Sequence, residues 1–508
     1  MYPPPHPMSC DSRPYFPLGW IFLLAVLLLS AGRAHADDGL RRIHRIVIHG
    51  LERTDEQIIR RELLFAEGDD LDSTRVAETA RNLRRLLFIG EVHIRLRDQP
   101  DGVEVTVSIE DLYSRALSPL ISGQIDELSF GVVALDYNFR GRGQRLRLVL
   151  ENQAISGPWA ELLFAEPRLG NSRRSLAVQL ATGAEGHDHA LTFSRPFATL
   201  ADHRAYGLSI FSQKSIQRLY SEGQLKTRYQ DALDGGHIWL IHSYGEQTKV
   251  RPSVQLQVSH RRFTAISSDR YAPADRTRIV PNVGLLVWRP RYKRARYMRD
   301  LGPLEDLQTG SWLSLRWGFA HRSLGSDRTF SLYQARLAPR FEPTKRSYAE
   351  LTLSASTYRG EGKFYNLFAA ASATAYFRLG VAHSLALRAS WEALHRSEDA
   401  DQFLLGLARG LRGYAPRRYD GTRRVLFNLE ARPTLVRRPW YTLASAAFVD
   451  CGAAWTPNRE KANMVCSPGL GIRLGWPKVY NTPVLRGDIA YGLKEGSYEL
   501  SVGLGQYF

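Results

Sequence analysis

Cysteine is scarce in this chain, with three residues among 508. Cys10 lies near the N-terminus, and only Cys451 and Cys466 fall within the main part of the sequence. No metal-ligand spacing involves these cysteines. Cys451 and Cys466 are either cross-strand neighbours that form a disulfide in an oxidising compartment or two unpaired thiols, and the sequence leaves both readings open.

Long apolar runs are also missing. The mean hydropathy is −0.29, and the most notable apolar run, residues 20–29, is too short for a membrane-spanning helix of about 18 residues or more. The small-x-small tripeptide Ala34-His35-Ala36 follows it, as at a signal-peptidase site. We therefore predict a signal peptide over residues 1–36 and export of the mature chain, with a retained membrane anchor as the alternative.

Catalytic motifs are absent too, since the chain has no G-x-S-x-G elbow, H-E-x-x-H pair or P-loop. His187 and His189, which flank Asp188, are better explained by a polar turn between strands than by a metal site. Asp69 and Asp70 are better explained by a turn and helix start than by a catalytic dyad. We expect no metal, no cofactor and no enzymatic activity.

Acidic residues are outnumbered, 51 against 68 basic ones, which gives a formal charge of +17. The predicted signal peptide holds two arginines and one aspartate, so the mature chain keeps a charge of +16. For an exported protein, this charge suits anionic lipid head groups, lipopolysaccharide or an acidic client. The export signal argues against a nucleic-acid partner.

Residues 42–110 have the pattern of a small α+β domain. A strand predicted over Ile43–His49 precedes two helices, which start near Asp55 and Asp72 and carry apolar residues at a period near 3.6. Two alternating strands close the unit, around residues 92–96 and 103–109. In the order β-α-α-β-β, both helices need the sheet to bury their apolar faces.

From about residue 120 the helical period disappears. Apolar residues alternate with arginine, glutamate, serine and glutamine in segments such as 146–150, 254–258 and 385–391. One face of each segment is therefore apolar, and the other must meet water or a polar lumen. Recurrence about every 25 residues predicts an all-β transmembrane barrel of about 16 antiparallel strands over residues 120–508. A soluble sandwich would not run so long as one domain.

Several segments resemble one family. IVIHGLERTDEQIIRREL and ARNLRRLLFIGEVHIRL make residues 42–110 resemble a POTRA domain, the periplasmic module of outer-membrane assembly barrels. NFRGRG at 138–143, FAEPRL, FSRPF, GLRGYAPRRYDG at 410–421, VLFNLEARP and AFVDCGAAW follow. In this order, the chain from about residue 42 to 508 resembles the BamA/TamA type of outer-membrane assembly barrel. The resemblance implies an outer-membrane barrel with a POTRA domain in the periplasm.

The resemblance also implies a locked lumen loop. In that family the sixth extracellular loop folds back into the lumen through an Arg-Gly-aromatic tip, which corresponds here to Arg412, Gly413 and Tyr414. Alternation in the two strands that follow turns Glu430 and Asp450 inward, and a guanidinium can bind two carboxylates. We expect Arg412 to pin the loop to both, Gly413 to allow close backbone approach and Tyr414 to pack on the wall. A surface loop with incidental charge is the alternative.

The last segment, residues 498–508, alternates apolar with polar or small residues and predicts a closing strand that ends in an interfacial aromatic girdle. In the family it resembles, a weak seam between the first and last strands serves as a lateral gate, which would here join residues 128–137 to 498–508. Glycine weakens a strand, although glycines that merely curve the wall are the alternative. The residues assigned to this seam are Ser501, Gly503, Gly505 and Phe508.

The family implies a non-enzymatic function, the insertion or translocation of unfolded client polypeptides at the outer membrane. The POTRA domain would capture client segments by strand addition, and periplasmic accessory proteins are further partners to expect. A dedicated transporter that exports one secreted protein is the alternative within this class. An outer-membrane hydrolase would need a Ser/His or Asp/His set, and a passive porin has no use for a POTRA domain.

Overall fold

The computed structural model describes residues 41–508 except for 125, 268–270, 300, 302–303, 400 and 477–483. The predicted signal peptide, its apolar run and Cys10 lie outside these residues. In the described part of the chain, no helix is both long enough and apolar enough to cross a membrane.

The N-terminal domain has the predicted β-α-α-β-β order. Its elements are β1 (Ile43–His49), α1 (Glu56–Arg60), α2 (Ser73–Arg84), β2 (Ile89–Gln99) and β3 (Gly102–Asp111). In the sheet, β3 lies between β1, which is parallel to it, and β2, which is antiparallel. Asp55 and Asp72 cap the two helices, because their carboxylates accept the N–H groups of Gln57 and Thr74, each at 2.8 Å.

One apolar core joins this sheet to the helices. Val105 and Val107 of β3 are fully buried on the face that meets Ile59, Leu83 and Ile89. Because side chains of a strand alternate between its faces, every second residue of β3 reaches the core. Burial of these faces stabilises the domain.

The second domain is a closed antiparallel barrel. Its wall has 20 strands when two interrupted strands, β17 (Phe330–Ala338) with β18 (Arg340–Phe341) and β24 (Arg423–Arg432) with β25 (Thr434–Arg437), are each counted once, because both members of each pair bond to the same neighbour. The wall strands are β4 (Arg115–Gln124), β5 (Glu127–Phe139), β6 (Gln144–Gln153), β7 (Gly157–Glu166), β8 (Ser175–Gly183), β9 (Gly186–Arg195), β10 (Arg204–Ser221), β11 (Gln224–His242), β12 (Lys249–Ala265), β13 (Arg276–Trp288), β16 (Trp312–Ala320), β17 (Phe330–Ala338), β18 (Arg340–Phe341), β19 (Ser347–Gly360), β20 (Lys363–Leu379), β21 (His383–His395), β24 (Arg423–Arg432), β25 (Thr434–Arg437), β26 (Thr442–Trp455), β27 (Val465–Gly475), β28 (Leu485–Gly492) and β29 (Ser497–Leu504).

The prediction of about 16 strands was therefore wrong, although the closed antiparallel architecture was right. Short strands and tight turns explain the difference, since β6 to β9 have only 9 or 10 residues each. Two-residue turns join several hairpins, with Glu222 and Glu361 at φ of 52° and 51° and a glycine after each, as type I′ turns require. The barrel also begins earlier than residue 120, at Arg115 of β4.

The predicted alternation between the two faces of the wall is present. In β24, Asn428, Glu430 and Arg432 are buried on the inner face, whereas Phe427 and Leu429 are exposed on the outer one. The outer face is thus apolar and the lumen polar, which is the pattern of a membrane-spanning barrel.

The N-terminal domain lies against the mouth of the barrel at which β4 begins, here called the domain-side mouth. Turns between wall strands make the contacts. Asn138, at the end of β5, donates through Nδ2 to Thr54 Oγ1 at 3.1 Å. Arg168, after β7, donates through Nε to Glu62 Oε1 at 2.8 Å, and this bond raises the pKa of Arg168. Hydrogen bonds between polar side chains therefore hold the domain at the mouth.

A hairpin inserted between β13 and β16 covers part of this mouth. It consists of β14 (Tyr292–Ala295) and β15 (Glu305–Gln308). On the outer side, Arg84 of α2 donates to both carboxylate oxygens of Asp306, at 2.7 and 2.9 Å. On the inner side, Met298 packs with Tyr348 and Tyr376 of the wall. The hairpin thus connects the N-terminal domain to the inside of the barrel.

Candidate functional site: the lumen loop and the barrel seam

The loop between β21 and β24 folds into the lumen, and residues 396–422 are here called the lumen loop. Its strands β22 (Phe403–Leu405) and β23 (Tyr419–Gly421) pair with each other. Gly410 has a φ of 107°, and a Cβ there would lie 2.2 Å from Leu426 Cδ2. Only glycine tolerates this backbone and this approach, so the tip of the loop packs directly on the wall.

Arg412 at the tip is fully buried and binds two carboxylates of the wall. Its Nε and Nη2 donate to the two oxygens of Asp450 at 2.7 and 3.0 Å, and its Nη1 donates to Glu430 at 2.6 Å. The guanidinium carbon lies 3.3 Å from the ring centroid of Phe448. The structure thus brings together the arginine and both carboxylates that the sequence singled out, on the adjacent strands β24 and β26.

Three further charged residues complete this buried cluster. Glu430 also accepts from Arg432 at 2.8 Å and from Arg473 at 3.2 Å. Arg473 in turn donates to Asp488 at 2.6 Å. Sequence analysis missed Arg473 and Asp488, although both stand at inward positions of their strands. Alternation identifies the face of such residues, but only strand register shows that they meet.

The two residues after Arg412 hold the tip against β27. Gly413 N–H donates to Ser467 Oγ at 3.2 Å, and a Cβ on Gly413 would lie 2.3 Å from Ser467 Cβ. Tyr414 is fully buried, and its hydroxyl donates to the carbonyl of Cys466 at 3.0 Å. The tip therefore contacts β24, β26 and β27 through three consecutive residues.

The barrel closes where β29 meets β4. Among the described residues, two pairs are in register there, Ser501 with Gln124 and Val502 with Gly123. The neighbouring pairings are longer, with eight residue pairs between β28 and β29 and ten between β4 and β5. The prediction that residues 128–137 form the first side of the seam was wrong, because those residues belong to β5 and an additional strand, β4, precedes them.

The final residues leave the wall. Gly505 has a φ of 87°, and β29 ends one residue before it. Tyr507 then enters the lumen, where its hydroxyl donates to the Leu407 carbonyl at 2.6 Å and accepts the Gly410 N–H at 3.1 Å. Gly505 is therefore the turn that ends the closing strand, and the last residues contact the lumen loop.

Two other predicted seam residues have structural explanations. Gly503 remains in β29, where a Cβ would lie 2.7 Å from Arg486 Nη2, so glycine makes room for that guanidinium. Phe508 packs near Tyr348 and Tyr376 inside the domain-side mouth, and its carbonyl accepts from Arg432 at 3.0 Å. The expectation of Phe508 in an outward aromatic girdle was wrong, since Gly505 turns the chain inward before it.

The remaining candidates have structural roles. Cys451 and Cys466 are register partners on β26 and β27 and form a disulfide. His187 and His189 lie within β9 and not in a turn, and their rings stack with centroids 4.8 Å apart. Asp69 accepts the N–H of Ala66 at 2.9 Å in the turn before α2, as expected. Among the described residues, no group of three or more His, Cys, Asp or Glu side chains is arranged to hold a metal ion.

Two of the short sequence motifs hold the N-terminal domain on the barrel. NFRGRG contributes Asn138, which contacts Thr54, and Arg142, whose carbonyl accepts from Arg61 at 3.3 Å. FAEPRL contributes Arg168, the partner of Glu62. From the sequence, these motifs indicated only a resemblance to a family and not a contact between domains. Their contacts bring together residues about 80 to 110 positions apart, which no local pattern reveals.

The N-terminal domain, docked on a closed antiparallel barrel with a lumen loop, has the topology of a POTRA domain. Residues 41–111 match the POTRA family, described as a surface antigen variable number repeat. Among curated proteins, no sequence matches the chain significantly.

Three solved structures are similar to this chain over most of its length. BamA from Haemophilus ducreyi lacking POTRA domains 1–3 is 14% identical, with a TM-score of 0.42, over 92% of this chain and 85% of that one. CdiB from Acinetobacter baumannii is 13% identical, with a TM-score of 0.43, over 92% and 74%. CdiB from Escherichia coli is 12% identical, with a TM-score of 0.47, over 91% and 76%.

Proposed function

We propose that this chain is an outer-membrane factor that inserts or translocates polypeptides, with its POTRA domain in the periplasm. The observation that carries the proposal is the seam between β4 and β29, which among the described residues is paired through two residue pairs, whereas the pairings on either side of it, β28 with β29 and β4 with β5, have eight and ten. In the described part of the chain, the rest of β4 has no hydrogen-bonded strand on its seam side, so an incoming strand can pair with its backbone groups.

The POTRA domain offers a second edge for client capture. In the sheet order β1-β3-β2, β2 has β3 on one side and no strand on the other among the described residues. Leu96 on this strand is 42% exposed and the neighbouring Arg97 is exposed as well. An extended client segment would add to β2 through backbone hydrogen bonds.

The lumen loop supports lateral insertion over passage through the pore. Arg412, Tyr414, Glu430 and Asp450 are fully buried within the barrel, so the loop occupies lumen volume that a translocating chain would need. In the proposed mechanism, Arg412 locks the loop, the loop braces the wall beside the seam, and the seam admits client strands. A dedicated exporter of one protein, the second candidate, would instead require release of this lock.

The proposed partners are unfolded outer-membrane or secreted polypeptides, outer-membrane lipid including lipopolysaccharide, and periplasmic accessory proteins. The basic charge of +17 is complementary to anionic lipid. The proposed function is non-enzymatic, requires no cofactor and involves no nucleic acid.

Depletion of the protein in its host, followed by quantitative proteomics of the outer membrane and the medium, tests this proposal. Loss of many barrel proteins is expected for an insertase, whereas loss of one secreted protein would identify a dedicated exporter. An unchanged outer membrane and secretome would refute both functions.

A cysteine crosslink across the seam tests the mechanism. Ser501→Cys with Gln124→Cys joins register partners of β29 and β4, and we expect oxidation to abolish client assembly. Ser122→Cys with Ser129→Cys joins β4 to β5 within the wall and is the matched control. Full activity of the oxidised seam variant would show that the seam does not open.

A further inference from the structure

A polar cavity of about 640 Å³ lies inside the barrel directly beside the seam and is here called the seam chamber. The seam strands border it at residues 123–124 and 501–502, which include both seam pairs. The lumen loop borders it at residues 407–410, and β5 and β6 contribute Glu127 and Glu151. A segment entering through the seam would meet this chamber first.

Arginine dominates the side of the chamber formed by β21, β24, β28 and the lumen loop. Three of its arginines are neutralised by carboxylates: Arg417 by Glu127, Arg424 by Glu392 and Arg486 by Asp488. The side chains of two others, Arg388 of β21 and Arg409 of the lumen loop, make no ion pair and no hydrogen bond among the described residues. The chamber therefore presents two guanidinium groups that are not engaged in ion pairs.

Several polar atoms around the chamber are also buried without a hydrogen-bond partner among the described residues. They include Ser501 Oγ on the seam strand, Arg486 Nε and Arg417 Nε. Buried polar groups in native proteins are nearly always paired, so unpaired ones indicate a site that a polar ligand or water fills. Arg486 Nε and Arg417 Nε can only donate hydrogen bonds, so a ligand that pairs with them must supply acceptor oxygens.

We propose that the seam chamber binds acidic side chains of an extended client segment that enters at the seam. Arginine forks bind carboxylates through paired hydrogen bonds. In an extended segment paired with the edge of β4, every second side chain points to the lumen, where Arg388 and Arg409 stand. This inference rests on the proposed function, which it deepens by naming the chemistry of the client.

Binding of labelled ten-residue peptides to the purified full-length protein in lipid nanodiscs, followed by fluorescence anisotropy, tests the inference. One peptide alternates valine with glutamate and the other alternates valine with lysine. We expect the glutamate peptide to bind at least about tenfold more tightly, since a hydrogen bond between charged groups contributes enough for a factor of this size. We also expect its affinity to fall with added salt.

The double variant R388Q/R409Q should lower affinity for the glutamate peptide by about tenfold or more and leave the lysine peptide unaffected. Neither arginine has an ion pair to lose, so the barrel should keep its resistance to heat and detergent. The double variant R388E/R409E should reverse the preference toward the lysine peptide. Arg262→Gln, on the outer face of β12, is the matched control and should bind both peptides as the wild type does.

Equal binding of the two peptides by the wild type, or wild-type affinity of R388Q/R409Q for the glutamate peptide, would overturn the inference. Displacement of the glutamate peptide by inorganic phosphate at the concentration at which the peptide itself binds would also overturn the inference, because the chamber would then be a general anion site. These results leave the depletion experiment unaffected, so failure of the chamber and failure of the assembly function are distinguishable.

Discussion

Replacement of Arg412 by alanine separates a structural lock from an incidental ion pair. The side chain is fully buried and donates three hydrogen bonds of 2.6 to 3.0 Å to Asp450 and Glu430. Glu430 would keep Arg432 and Arg473, whereas Asp450 would lose its bidentate partner and retain Asn428 at 2.7 Å. Removing one member of a buried pair costs about 3–5 kcal/mol, because the other charge stays buried without its partner.

Arg412→Lys keeps the charge but cannot form the two-pronged contact with Asp450. We expect its stability to lie between those of the wild type and R412A. Arg262→Ala is the matched control, since Arg262 pairs with Asp234 on the outer face with half of its side chain exposed. Such exposed pairs contribute about 0–1 kcal/mol.

Three measurements report on the lock. Urea unfolding gives the stability of each variant, trypsin added to intact cells reports release of the lumen loop at its arginines, and the levels of client proteins report function. We expect R412A to lower the free energy of unfolding, the resistance of the lumen loop to trypsin and the levels of client proteins. R262A should match the wild type in all three measurements. Wild-type stability, protease resistance and client levels in R412A would falsify the lock.

Other predictions concern elements outside the lock. Replacing Cys451 and its partner by serine should lower the free energy of unfolding by up to about 3 kcal/mol, as expected for a loop of 15 residues, measured by urea unfolding against the wild type with its disulfide intact. An undiminished stability would show that strand pairing alone holds β26 to β27. Arg84→Ala, which removes the contact with Asp306, should loosen the POTRA domain on the barrel and increase proteolysis of residues 112–114, with Arg60→Ala as the exposed control. Equal cleavage rates in the two variants would contradict the docking described for this domain.

Features that depend on local chemistry could be predicted from the sequence. Alternation of period two marks which side chains face the lumen, and it placed Glu430 and Asp450 inward before any strand pairing was known. The helical period and the capping residues Asp55 and Asp72 likewise defined the POTRA domain. The loop motif identified Arg412 as the partner of these two carboxylates, because the residues of the motif are consecutive in the chain and match a family pattern.

The strand count, the seam and the direction of the final residues depend on tertiary contacts and could not be predicted from the sequence. Strand number depends on where each turn falls, and β4 became visible only through its pairing with β5 and β29. In the sequence, a glycine at position 505 is compatible both with a curved strand and with the end of a strand. Only its φ of 87° shows that the chain turns there, so that Tyr507 and Phe508 enter the lumen. Register between distant strands also brought Arg473 and Asp488 into the cluster and exposed Arg388 to the seam chamber. Such pairings join residues far apart in the chain, so no local pattern encodes them.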